Sequence, residues 1–210
     1  MLSNFDFSVI VSSLPYLFGQ GMVFTVTLTA LAAVGGVIIG TLLAMARLSG
    51  LPGLSHFAKG HVELCRSLPL VLVIFWFYFL VPYIGAYVTG SSTPIQVGAF
   101  PSALITFMAF GAAYFSEIMR AGIQSIPKGQ TAAAQALGMN YWQTMGNVVL
   151  PQAFRYMLPL LLTQTIVLFQ DTSLVYVLSL TDFMGAAAKV AQRDGRLVEM
   201  YIFAAVVYFA

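Results

Sequence analysis

The stretch GMVFTVTLTALAAVGGVIIGTLLAMA, residues 21–46, contains no Asp, Glu, Lys or Arg, and the charge-free interval around it runs from Asp6 to Arg47. A membrane-spanning helix needs about 20 predominantly apolar residues, so this stretch reads as one crossing preceded by a polar lead-in. A second charge-free interval, Arg66 to Glu117, has room for two crossings. Its middle holds Pro82, Gly85 and the run Gly90-Ser91-Ser92-Thr93-Pro94; these turn formers divide it into helices expected near 68–88 and 97–116. A fourth apolar stretch covers about 156–180 and is interrupted by Asp171. A fifth starts near Leu197. As a helix it would rise only about 21 Å before Ala210, short of the ~30 Å hydrocarbon core, so the last helix is expected to be truncated.

Composition leads to the same class. Hydrophobic residues make up 60% of the 210 and charged residues 8%, against about 25% charged in an ordinary globular domain. A soluble chain of this size cannot hide that much apolar surface in one core. The expected fold is all-α integral membrane, one transmembrane domain over residues 1–210 with five helices, its apolar surface facing a lipid bilayer. Nine basic and seven acidic residues give a net charge of +2, too scattered for a nucleic-acid partner. Cys65 is the lone cysteine, which excludes an intrachain disulfide. His56 and His61 fall in the first inner loop and read as surface histidines, so no metal site is expected. Met1 to Ile10 lacks Lys and Arg, unlike the start of a cleaved signal peptide.

Basic residues set the orientation, because they concentrate in cytoplasmic loops. With the N-terminus outside, Arg47, Lys59, Arg66, Arg120, Lys128 and Arg155 fall inside, and Lys189, Arg193 and Arg196 outside. Six against three favours an outward N-terminus.

The inner stretch 117–155 is too long for a turn. After Lys128-Gly129, residues 130–145 read as one helix, with Ala134, Leu137, Tyr141 and Met145 at helical spacing and Gly138 at mid-helix. Gly there weakens a helix unless close contact requires it. The polar face is Gln, Asn and Thr rather than Lys and Arg, which suits a protein surface better than a lipid one. The stretch closes on Leu150-Pro151.

The run Ala132-Ala133-Ala134, three residues, Gly138, nine residues, Val148, one residue, Leu150-Pro151 resembles the EAA loop of ABC importer permeases. The segments 120–126 before it and 151–155 after it are similar to the polar-amino-acid branch of that family. The run Phe169-Gln170-Asp171-Thr172-Ser173-Leu174-Val175-Tyr176-Val177-Leu178 resembles glutamate/aspartate permease subunits. The resemblance implies a type I (MetI-like) transmembrane domain with five helices in a bacterial inner membrane. It implies that the loop docks on cytoplasmic ABC ATPase subunits, which bind ATP-Mg, while this chain binds no cofactor. It also implies a second permease subunit, identical or paralogous, and a periplasmic amino-acid-binding protein. The chain departs from the pattern at Ala132, where the motif has Glu, and at Gln170, where many relatives have Lys.

Asp171, with Thr172 and Ser173, is the candidate gate or pathway group, since an ionisable residue inside a span faces a cavity or a partner. The competing expectation pairs Asp171 locally with Thr172, Ser173 or Lys189. Gly36 and Gly40 form a small-xxx-small pair suited to close helix packing within the chain. Thr25, Thr27, Thr29 and Thr41 can bond back to the preceding turn. Trp76, Tyr78, Tyr83 and Tyr87 read as an interfacial aromatic belt.

A self-contained secondary transporter or channel is the alternative, but the two halves of the chain show no echo of each other. An integral-membrane enzyme would need a nucleophile–base set or a metal cluster, and two isolated histidines supply neither. No GxxxxGK[ST] loop occurs, so energy has to come from a partner. The orientation is tested by thiol labelling. An impermeant reagent is expected to reach a cysteine placed at Ser3 from outside, and labelling only after permeabilisation would reverse the topology.

Overall fold

Several prolines and glycines of this chain lie inside its helices. In the computed structural model, which describes residues 5–95 and 97–209, α1 runs unbroken over Phe7–Leu48, past Pro15, Gly19 and Gly21. It starts well before the expected 21–46 because Asp6 caps it, accepting from the Ser8 N–H at 2.9 Å and the Ser8 hydroxyl at 2.6 Å. The polar lead-in is therefore helical. Then follow α2 (Pro52–Ser67), α3 (Leu70–Thr89), α4 (Ala99–Gln124), α5 (Lys128–Ala136), α6 (Tyr141–Leu178), α7 (Phe183–Asp194) and α8 (Leu197–Phe209). No strand occurs among the described residues. Four helices (α1, α3, α4 and α6) are long and apolar enough to cross a membrane, while α8 is apolar but shorter.

Two of the longer helices share one device for carrying proline. Proline lacks an N–H and its ring collides with the carbonyl four residues back. Immediately ahead of Pro82, the Val81 N–H reaches back five residues to the Trp76 carbonyl. Ahead of Pro151, the Leu150 N–H does the same to Met145. Such a π-turn inserts one residue into the ladder and makes room for the ring. Pro82 and Gly85 thus lie inside α3, which ends at Gly90 in the left-handed region (φ 69°). Pro151, expected to close a loop, lies inside α6.

The described residues divide into two compact units, one from 5–31, 70–95, 97–106 and 168–209, the other from 32–69 and 107–167. In the first unit the core gathers Leu17 of α1, Phe183, Ala186, Val190 and Ala191 of α7, and Met200 and Ala204 of α8. Gly21 permits this contact: a Cβ there would lie 2.8 Å from Ala186 Cβ and 3.0 Å from Phe183 Cα. The Thr25 hydroxyl accepts the Phe183 N–H at 3.0 Å, so Thr25 does more than satisfy itself on its own helix. Thr29 and Thr41 do bond back, to the Thr25 and Val37 carbonyls. At one end of this unit Arg196 pairs with Asp6 and Glu199.

In the second unit α1 lies directly on α4. A Cβ on Gly40 would stand 2.9 Å from the Ala112 carbonyl oxygen and from Phe115 Cβ, and one on Gly36 would stand 3.1 Å from the Phe115 ring. The small-residue pair therefore serves packing within the chain. Below it, Ala44, Met119, Val149, Ala153 and Met157 bring α6 onto the same core. One carboxylate ties the ends together: Glu117 accepts from Arg47 at 2.7 Å and Arg120 at 2.8 Å, with Arg66 at 3.5 Å. The Arg66 guanidinium also sits 5.6 Å from the Tyr114 ring centroid, a cation–π distance.

Gly40→Val is expected to force α1 and α4 apart, destabilising the fold by about 1–3 kcal/mol. A lowered thermal midpoint of the solubilised protein, with Gly19→Val as a control that meets no atom within 4 Å, is the check.

Candidate coupling loop and pathway residues

The expected single helix over 130–145 is two helices with a corner between them. Ala136 ends α5, and Gly138 then takes φ +80°. The Gly138 N–H bonds to the Gln135 carbonyl at 2.9 Å and the Met139 N–H to the Ala134 carbonyl at 3.1 Å. This is a glycine C-terminal cap of the Schellman kind. Asn140 starts the next helix with a capping box. Its side chain accepts the Gln143 N–H, and the Gln143 side chain accepts the Asn140 N–H, both at 2.9 Å. The Gly-x-Asn-x-x-Gln sequence could have signalled this corner, but alanine-rich continuity masked it.

The correction changes the role of Gly138. It does not lie mid-helix against a neighbour, because a Cβ there would meet nothing within 4 Å. It is glycine because an L-residue is strained at that φ. The face read from Ala134 through Met145 is also split. Ala134 is buried, whereas Leu137 is 83% exposed, and Tyr141 and Trp142 beyond the corner are exposed too. Ala132 and Ala133 lie on the exposed side of α5. Val148 is half-buried inside the wide turn of α6, and Leu150 and Pro151 are exposed on the same helix. The residues of the loop motif thus form a short helix, a tight corner and the foot of a long helix, with Ala132, Ala133, Leu150 and Pro151 exposed and Ala134 buried.

Asp171 falls at the end of the regular part of α6, where the helix tightens into a 3-10 segment, Thr172–Leu178. Because α6 starts at Tyr141 and not near Tyr156, Asp171 stands about 45 Å along it rather than about 22 Å. The expected local pairing is absent: among the described residues its carboxylate has no hydrogen bond or ion pair. The Thr172 hydroxyl donates to the Phe169 carbonyl at 2.7 Å, and the Lys189 ammonium to the Thr181 hydroxyl at 2.5 Å. Ser173 is half-buried one residue on.

A second carboxylate is buried. Asp182 is 0% exposed and caps α7, accepting from the Met184 N–H at 2.9 Å and the Gly185 N–H at 3.0 Å. Burial pushes its carboxyl above the ordinary value, against the pull of those two bonds and of Lys189. On α3, Trp76, Tyr83 and Tyr87 are exposed, the two tyrosines at 65% and 88%, while Tyr78 is half-buried.

Comparison with known proteins decides the family. The model for the binding-protein-dependent transport system inner membrane component matches residues 36–210. The chain belongs to that family. It is 55% identical over 206 residues to the glutamate/aspartate import permease protein GltK of Escherichia coli, covering 98% of this chain and 91% of the relative. It is 34% identical to the probable amino-acid ABC transporter permease protein YckA of Bacillus subtilis, over 98% of this chain and 87% of the relative. A crystal structure of an amino acid ABC transporter with histidines matches at a TM-score of 0.84 and 31% identity, covering 97% of this chain and 91% of the other. Inward-facing MetNI methionine transporter structures match at 0.68 and 18% identity, over 92% and 90% of the two chains, which supports the fold alone. The molecule is an integral-membrane, MetI-like permease of an amino-acid ABC importer.

Gly138→Ala is expected to weaken the corner by about 1–2 kcal/mol through the left-handed backbone strain. Hydrogen exchange should rise in α5 and at the first turn of α6, with Gly138→Asn milder, and unchanged protection in Gly138→Ala would remove the capping role.

Proposed function

We propose that this chain is a permease subunit of an importer for glutamate and aspartate. A binding protein delivers the amino acid outside, and ATP-Mg hydrolysis in partner ABC ATPase subunits drives it across a bacterial inner membrane. Identity of 55% across 98% of the chain to a glutamate/aspartate import permease carries the substrate assignment. Two permease subunits, identical or paralogous, enclose the pathway, since five helices alone make a poor enclosure. The corner at 136–141 is the docking element. It presents Leu137, Tyr141 and Trp142 to a partner while its backbone groups are already satisfied by the caps, so docking needs no rearrangement. The N-terminus lies outside, in accord with the basic residues and with Asp6 pairing to Arg196, which precedes α8.

Asp171 faces the pathway as an unpaired carboxylate. There it meets the α-ammonium common to all amino acids, while an acidic side chain is held away from it by like charge. The test is uptake into proteoliposomes containing the assembled complex. Labelled glutamate and aspartate should accumulate with ATP inside, and Asp171→Asn should abolish accumulation while assembly and thermal midpoint hold. Accumulation of neither acidic amino acid by the unaltered complex would overturn the substrate assignment, and full uptake by the Asn variant would remove Asp171 from the pathway.

A further inference from the structure

The first unit contains a concavity of about 460 Å³ that none of the loop or pathway residues line. Its polar wall comes from three elements: Tyr176 and Ser179 at the end of α6, Lys189 and Gln192 on one face of α7, and Tyr201 of α8. Leu180, Met184 and Ala188 supply an apolar floor. At ~30 Å³ per liquid water, this volume holds an amino acid together with some of its water. The wall offers an ammonium, a carboxamide and three hydroxyls, and no carboxylate lines it.

Lys189 is the one charged residue in the wall of the concavity. Among the described residues of this unit, Arg193 is paired with Asp194 at 2.7 Å and Arg196 with Asp6 and Glu199. Lys189 has no carboxylate within ion-pair distance; its ammonium donates to the Thr181 hydroxyl and keeps two further N–H donors. The buried Asp182 nearby is committed to the α7 N-terminus. Ser179 adds an independent sign. It is the one non-glycine residue with positive φ (59°) among those described, and strained backbone of this kind clusters at ligand-holding positions.

We propose that this concavity is a reception site for the side-chain carboxylate of an acidic amino acid, with Lys189 as its anchoring cation and Ser179, Tyr176, Gln192 and Tyr201 as hydrogen-bonding partners. The proposal rests on the glutamate/aspartate reading, and in the outward-N-terminus topology the segment 179–196 lies on the side from which substrate is delivered. The site discriminates by charge: it holds glutamate and aspartate, leaves glutamine weakly held and repels arginine and lysine.

The test is equilibrium binding of labelled L-glutamate and L-glutamine to the assembled, nucleotide-free complex in nanodiscs, without the binding protein. Losing one charged hydrogen bond lowers affinity about tenfold, so Lys189→Gln should bind glutamate about tenfold more weakly and Lys189→Arg close to the unaltered complex. Glutamine binding should be the same in all three, and the glutamate preference should shrink with salt. Equal glutamate affinity in the Gln variant overturns the site, as does a parallel loss for glutamine, which would mark a structural effect. Proteoliposome uptake separates the two readings. If the unaltered complex imports glutamate yet Lys189→Gln changes neither binding nor the apparent KM, the reception site fails and the importer assignment stands. If it imports no acidic amino acid, the importer assignment fails first.

Discussion

A backbone inside hydrocarbon has no water to satisfy it, so every N–H and C=O must find a partner within its own helix. That constraint explains most of what is unusual in this chain. Proline removes a donor, and in a soluble helix water can cover the orphaned carbonyl. Here the helices widen instead: Val81 and Leu150 each bond five residues back just before a proline. The hydroxyls of Thr29, Thr41, Thr106 and Thr165 bond down to carbonyls one turn earlier. These helices can therefore carry bends without exposing polar backbone.

Bends matter because helix association in lipid draws little from the hydrophobic effect and depends on contact. The two units achieve contact differently. In the first, Gly21 and the alanines of α7 bring backbones together, and Asp182 and Thr25 receive the N–H groups that a short helix leaves open at its start. In the second, Gly36 and Gly40 let α1 lie on α4, and Glu117 fastens three arginines from α1, α2 and α4 at the end of that contact. One carboxylate against three guanidiniums leaves an excess of positive charge. The side chain of Arg47 is only 11% exposed, so the Arg47–Glu117 pair is partly desolvated, and losing Glu117 would strand a buried cation, the more destabilising change.

Much of this was legible in the sequence because charge is so sparse. The gaps between Asp6 and Arg47 and between Arg66 and Glu117 located three crossing helices, and Gly36/Gly40 announced a close contact that the structure places on α4. The differences fall at two boundaries: the helix expected to begin at Gly21 begins at Phe7, and Pro151, expected to close a loop, lies inside α6, because neighbouring turns absorb what those residues remove. Pro82 and Gly85 lie inside α3 as the expected span 68–88 had them. At Gly138 the opposite mistake occurred. An alanine-rich run with good helical periodicity continued through it, and only the left-handed φ of one residue ends the helix. The burial of Asp182 had no sequence signal, since it depends on the fit of α7 against α1.

The departure at Ala132 can be judged against this corner. A glutamate at that position would add one charged side chain to the exposed side of α5, but it would not hold the corner together. That task falls to the glycine cap at 138 and the Asn140–Gln143 box, both of which join backbone to side chain or backbone to backbone within a few residues. The shape of the loop therefore survives without the acid. What changes is the chemistry offered to a partner: exposed alanines at 132 and 133, then Leu137, Tyr141 and Trp142, give an apolar, aromatic surface. Truncating a single well-buried aromatic anchor in an interface can cost 2 kcal/mol or more, whereas an exposed ion pair contributes about 0–1 kcal/mol. If the corner docks as proposed, Leu137, Tyr141 and Trp142 can thus supply most of the affinity without the charged contact.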